Sequence, residues 1–550
     1  MSVPRTASEA DEELEGPRRR SLDRGGAARR QAKLSSRCLC CLTDSITWNY
    51  AVCQMASKAK RGGWRPGRED LAAALEEQNP WHSTGKVPEH LAPTAERPLA
   101  QYLPQMQLRT ESRRFELILG PRRVGKTTAM YQTIRSLLGR GVPTHQLWWL
   151  RLDHPLFLAH DLGSLVRGVI DASSATREQP AHLFLDELTY AKDWDLWLKT
   201  FYDEHWPVRI WATSSATAAL REGRTESGVG RWDERYLTPY LFSEYLDLVD
   251  RPLLVPLAND LFDTLGSCLE RPIEFAALDP LRVLLMLIGG FPELLHLTKS
   301  TAPEELQGAF VRAQHMLRSD AVERAIYKDI PQVFGVDNPI VLERLLYVLA
   351  GRMTGILSPA GICQELGGLT QPTFDKYLSY LERSYLVFTL QNYSGNEASI
   401  QKRGRKLYFV DGAVRSAALL RGLAPLVNSE ESGHLIENLV ASHLHALAQQ
   451  AGHRLFHWRE NEDEVDLILD HPTSPMAFEV ASRPNQSRRG LLALQRRHPK
   501  FDGRCFLVAP GSVRVTSAAS SDGIATIPLD LLLVAVGRHA EAALRARMGC

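Results

Sequence analysis

Four short apolar runs, at residues 115–119, 147–150, 183–185 and 210–212, are separated by stretches with helical spacing. Runs without polar alternation suit strands covered on both faces, and strands that alternate with helices build a parallel sheet. An α/β core is therefore expected over residues 71–245. Helical periodicity dominates 241–297 and 304–350, which makes 246–339 a helical region. Between 358 and 386 two helical patterns meet at Gly367-Gly368, and strand-like runs at 386–390 and 407–410 flank a basic loop. This region, 340–425, suits a helix-turn-helix with a β wing. The last part, 426–550, returns to mixed α/β character: an amphipathic helix over 434–450, strands at 453–458, 464–468, 477–480 and 505–508, and a helix over 488–497. No internal repeat is visible.

Composition changes the picture only at the start. Residues 1–70 carry arginine clusters (Arg18-Arg19-Arg20, Arg29-Arg30) and little apolar periodicity, so a disordered basic extension is expected, with Met55 as an alternative start. Cys38, Cys40, Cys41 and Cys53 lack paired C-x-x-C spacing and a nearby His, which argues against zinc. The full chain of 550 residues is 44% apolar and 23% charged with a net charge of +1. Such balance gives no global pull toward nucleic acid or membrane. No apolar run reaches the ~18 residues of a membrane span; the longest, near 281–295, is broken by Gly289-Gly290 and Pro292. The N-terminus has no secretory apolar segment, and a cytoplasmic location is expected.

The chemistry concentrates after the first apolar run. Gly120, Pro121, Arg122, Arg123, Val124, Gly125, Lys126 and Thr127 spell G-x-x-x-x-G-K-[ST], followed by Thr128 and a helical pattern. Strand, loop and helix in that order are what a phosphate-binding loop needs, with backbone N–H groups and a helix N-terminus facing the phosphates. Lys126 is expected to reach the β- and γ-phosphates of ATP, and the Thr127 hydroxyl to ligate Mg2+. The run at 183–185 ends in Asp186 and Glu187: Asp186 completes the metal site and Glu187 orients the attacking water. Thr213 or Ser214, closing the next run, is placed to sense the γ-phosphate. Arg221, Arg224, Arg231 and Arg235 lie in the following Gly-rich segment, with Arg231 the first choice for an arginine finger.

The ordered motifs resemble those of bacterial and archaeal AAA-type (P-loop) ATPases that carry a C-terminal domain of unknown function. The resemblance runs from Asn79-Pro80-Trp81 through Gly120–Thr128, Leu185-Asp186-Glu187 and Thr213-Ser214-Ser215. It continues at Gly230-Arg231, at Pro239 with Phe242-Ser243-Glu244-Tyr245, and at Gly289-Gly290-Phe291-Pro292-Glu293. His82 stands where relatives often have a second Trp, and Ser214 where they often have Gly. The resemblance implies a P-loop NTPase parallel-sheet core of five strands, a helical lid, a winged-helix module and a C-terminal α/β restriction-endonuclease-like domain.

By that resemblance Glu437, Asp466 and Glu479 would form the end domain's acidic cluster for a divalent ion. The Glu-x-Lys expected next is broken by Ala481, and the nearby Arg483 cannot serve as a base. A nuclease fold with little or no cleavage is expected. Lys402, Arg403, Arg405 and Lys406 in the wing loop are candidate contacts to DNA phosphates. The leading reading is a Mg2+-dependent ATPase whose nucleotide state controls its C-terminal modules. A DNA-binding or DNA-processing protein gated by ATP, and a nucleotide-gated signalling or scaffold protein, stay open beside it.

Overall fold

Phe115–Leu119 form strand β1, buried along its whole length, and the computed structural model builds a five-stranded sheet around it. The structure describes residues 68–107, 114–216, 230–270, 278–299, 305–394, 404–481, 486–510 and 522–549. Arg221, Arg224, Lys402, Arg403, Arg483 and the four N-terminal cysteines lie outside the described residues. Strands β2 (Leu147–Arg151), β3 (Ala181–Asp186), β4 (Val208–Ser214) and β5 (Trp232–Tyr236) join β1 in the order β2-β3-β4-β1-β5. Every pair is parallel. Helices cover both faces, so β1 to β4 read as continuous apolar runs. β1 sits beside the point where strand order reverses, and the loop after it opens at the carboxyl ends of the strands, where α/β folds bind ligands.

β5 was not legible as a strand. Its sequence, Trp-Asp-Glu-Arg-Tyr, is mostly half-exposed at the sheet edge. Its one buried charge, Arg235, donates to Glu116 of β1 at 2.8 Å. At the opposite edge, Asn79 bonds like a strand residue. Its side-chain carbonyl accepts from Trp149 N–H at 2.6 Å, and its amide donates to the Trp149 carbonyl at 3.1 Å. Trp81 donates to the Leu147 carbonyl at 2.9 Å. The Asn-Pro-Trp motif thus covers the free edge of β2.

Four helices, Leu261–Leu269, Asp279–Ile288, Pro292–Lys299 and Leu306–Leu317, lead into two π-helical turns, Arg318–Glu323 and Ala325–Asp329. Beyond them, α2 (Pro359–Glu365) and α3 (Gln371–Arg383) are joined by a turn in which Gly367 and Gly368 both take positive φ. Thr370 caps α3 by accepting from Thr373 N–H. An antiparallel pair follows, β6 (Val387–Asn392) with β7 (Lys406–Phe409). β6 also pairs, in parallel, with β8 (Arg454–Glu460). With β9 (Asp463–Asp470), β10 (Met476–Val480), β11 (Cys505–Ala509) and β12 (Ile524–Pro528) they form a seven-stranded sheet, ordered β12-β11-β10-β9-β8-β6-β7. The wing region and the end domain, expected as separate units, therefore share one sheet.

α4 (Ser429–Ala451) and the terminal helix α5 (Leu529–Met548) pack together and against the part of the chain that holds the five-stranded sheet. α5 had no sequence signature because Leu531–Val536 is apolar and buried all round, without a polar face. Asp530 at its start accepts from Arg282 at 2.5 Å. Gly537 lets it approach Ser243: a Cβ there would meet the Ser243 hydroxyl at 2.2 Å. Among the described residues, no helix is long and apolar enough to cross a membrane.

Candidate functional site

The loop between β1 and α1 (Lys126–Gly139) wraps around a small number of special backbone positions. Gly120 takes φ +151, and a Cβ on it would meet the Leu237 carbonyl oxygen at 2.1 Å. Gly125 caps α1 with φ +92. Pro121 and Val124 are buried in the loop's back wall, and Thr128 is half-buried on α1. Sequence reasoning missed Arg97, which holds that wall in place. Its guanidinium donates to the Val124 carbonyl at 3.1 Å, to the Thr238 carbonyl at 2.6 Å and to Glu244 at 2.8 Å.

Thr127 and Asp186 meet at the loop's mouth. The hydroxyl donates to the carboxylate at 3.0 Å. Thr213 donates to the same carboxylate at 2.6 Å and accepts from Glu187 N–H at 3.1 Å. Thr213 therefore supports the two acids, and Ser214 turns away to the Ala216 carbonyl at 2.7 Å. Burial, then the neighbouring Glu187 charge, pushes the Asp186 carboxyl up to about 6, although two hydroxyl donors and Lys126 oppose this. A divalent cation at the Thr127–Asp186 pair would restore the ionised form.

Glu187 adopts φ +57, an uncommon backbone for a non-glycine residue and typical of over-determined functional positions. Ser215 fixes its carboxylate with a hydroxyl donated at 2.7 Å. Burial acts to raise its pKa, but Arg122, then Lys126, outweigh that and hold Glu187 below the usual range. Lys126 is buried, and its ammonium donates to the carbonyls of Gly120 and Pro121 at 2.8 Å each. Desolvation pushes this amine down to about 8, with Arg122 acting in the same sense against the acidic neighbours.

The two loop arginines reach the helical region. Arg122 lies 3.4 Å from Glu187 and pairs with Asp329 at the end of the second π turn. Arg123, at φ +67, bonds Glu293 at 2.9 Å and Asp320 at 2.5 Å. Asp329 and Asp320 were not singled out from the sequence, and Glu293 was named only within a motif, because only tertiary packing brings them to the loop. The 14-residue α1, the positive-φ glycines and the hydroxyl–carboxylate pair fit a nucleotide triphosphate with Mg2+.

Arg231, the first choice for an arginine finger, lies away from the phosphate loop of its own chain. Its carbonyl accepts from Phe115 N–H, which puts it at the start of β1, and its guanidinium bonds Asp203 at 2.9 Å. That is the end of the sheet remote from the phosphate loop. Of the basic wing loop, only Arg405 and Lys406 lie among the described residues. Arg405 pairs with Asp375 of α3, and Lys406 is buried among Glu437, Glu464 and Asp466, so Lys406 cannot reach a DNA phosphate. The third predicted acid, Glu479, accepts from Gln486 at 3.3 Å.

Residues 112–246 match the family described as AAA domain, residues 282–424 a domain of unknown function (DUF8612), and residues 432–532 a second one (DUF4143). Two uncharacterized proteins of Methanocaldococcus jannaschii are similar. One is 26% identical over 70% of this chain and 80% of its own length. The other is 24% identical over 65% and 72%. Among solved structures, Cdc6p from Pyrobaculum aerophilum is 13% identical, covering 62% of this chain and 98% of that one at a TM-score of 0.24. AMPPCP-bound DnaA from Aquifex aeolicus is 15% identical, covering 54% and 99% at 0.23; both scores are too low to define a common arrangement. The chain thus carries an AAA domain followed by two domains of unknown function.

Proposed function

We propose that this chain binds ATP with Mg2+ at the Gly120–Thr127 loop and hydrolyses it, and that nucleotide state is passed to the C-terminal modules. The observation that carries the reading is the 3.0 Å contact between the Thr127 hydroxyl and Asp186, with Glu187 the next residue. Mg2+ held there would neutralise phosphate charge. Lys126 would exchange its two loop carbonyls for phosphate oxygens, and Glu187 would align the attacking water. Arg122 links that base to Asp329, so the helical region is coupled to the chemistry through one side chain. Transmission onward is supported by Gly290: its carbonyl accepts from Tyr240 N–H at 2.6 Å, and its N–H donates to Asp411 at 2.8 Å. Asp411 also caps the helix that follows by accepting from Ala413 N–H.

Two variants test the assignment. Lys126→Ala should weaken nucleotide binding by roughly 10- to 100-fold, the usual loss for a charged hydrogen bond. Glu187→Gln should retain binding while kcat falls by about 10²-fold or more. Equilibrium binding of a fluorescent ATP analogue and phosphate release measure the two. Turnover unchanged in both variants would refute the reading.

A further inference from the structure

Lys406 opens β7 and is 2% exposed. Its ammonium lies 2.9 Å from Glu437, 2.9 Å from Glu464 and 2.8 Å from Asp466. Three carboxylates thus surround the three N–H donors of one ammonium, and the contact to Asp466 is a hydrogen bond. Glu437 comes from α4, while Glu464 and Asp466 stand two apart on β9 and so share a face of the sheet. Two of these carboxylates have a further donor: Tyr408 donates its hydroxyl to the Glu437 oxygen that faces Lys406, at 2.9 Å, and Val480 N–H donates to the second Asp466 oxygen at 2.9 Å.

We propose that Lys406 is the resident cation of the end domain's acidic cluster, taking the place a divalent ion would hold and closing the cluster to Mg2+ and Mn2+. A divalent ion among the same oxygens would stand within a few ångströms of the ammonium, a like-charge contact in a buried site. Three carboxylates within 2.9 Å of the ammonium match its charge where it sits. Among the described residues, no group of three or more His, Cys, Asp or Glu side chains is arranged to hold a metal ion. The missing lysine after Glu479 is therefore only part of why this fold would not cut nucleic acid. The cluster's charge has been turned from ion binding to joining β7, β9 and α4.

The test uses the full chain carrying Asp186→Asn, which silences the nucleotide-side ion site, with Mn2+ as probe. That background should take up no Mn2+ at the end domain. Adding Lys406→Ala should create uptake of one ion per chain, lost again on adding Asp466→Asn. Lys406→Met, which keeps the stem's packing, is the second variant, and Mn2+ should raise the melting temperature of both. No uptake and no Mn2+-dependent rise in melting temperature in either variant would overturn the proposal. So would Mn2+ uptake with Lys406 in place that Asp466→Asn removes. Amine-reactive labelling of the unsubstituted chain gives an independent reading: Lys406 should stay unmodified with or without millimolar Mn2+, whereas labelling induced by the ion would show that the metal displaces it.

Discussion

Arg122 and Asp329 show how much of the site depends on single side chains. Both side chains are nearly buried, at 11% and 6% exposure, so neither charge is well solvated once its partner is gone. Asp329→Ala leaves Arg122 facing Glu187 alone, and Arg122→Ala strands Asp329 beside the loop. Each substitution is expected to destabilise the chain by about 1–3 kcal/mol, and the pair by clearly less than the sum, with a coupling of roughly 1 kcal/mol or more. Urea denaturation of the four proteins without nucleotide measures this; additive losses would mean the two charges do not act together. The contrast with the motif residues is instructive. Gly120 to Thr127 were legible because one contiguous loop must satisfy one ligand. Asp329 lies 207 residues from Arg122, and Glu293 lies 170 from Arg123. No local pattern selects such partners.

At the scale of elements, the crossing of Gly289-Gly290 beneath Tyr240 joins the ATPase core to the helical region. A Cβ on Gly290 would stand 2.4 Å from both the backbone nitrogen and the oxygen of Tyr240. Backbone cannot rotate away as a side-chain tip can, so the elements would have to separate. Gly290→Ala should therefore cost about 2 kcal/mol or more, and weaken any effect of nucleotide on the C-terminal modules. Gly168, exposed in the helix Leu162–Ser173 with nothing near its missing Cβ, is the control. There the change to Ala should be neutral or stabilising by roughly 0.5–1 kcal/mol. Thermal melts of both variants separate the cases. The same scale explains what the sequence could and could not reveal. β1 to β4 were visible because burial on two faces demands uninterrupted apolar residues. β5 was hidden because a sheet edge tolerates charge, and α5 because its first half, buried all round, carries no stripe. The wing and end domain looked separable because the two-residue pairing of β6 with β8 leaves no trace in composition.

Across the whole molecule, His443 of α4 ties the C-terminal part to the ATPase core. Its Nε2 accepts from Phe242 N–H at 2.8 Å, so Nδ1 carries the proton and donates to the Leu439 carbonyl at 2.8 Å. Protonating Nε2 would both charge a buried ring and remove the acceptor that Phe242 needs. Burial accordingly pushes this histidine down to about 4, from 6.5. The sign follows by linkage: above pH 6.5 both folded and unfolded chains hold the ring neutral, and its contribution is intact. Below that the unfolded chain takes up the proton first, so stability is lost as pH falls from 6.5 toward 4. Absolute stability will not isolate this, because Asp411 and Asp530 are pushed up to about 6 by burial and gain protons on folding in the same range. The useful quantity is the difference between the wild type and His443→Gln, whose side-chain carbonyl can still accept from Phe242. At pH 7 the wild type should be the more stable. At pH 4.5 its advantage should shrink by about 2–3 kcal/mol, measured by urea denaturation of both proteins at the two pH values. A difference that stays constant would mean His443 titrates normally and that water reaches the joint between core and C-terminal part.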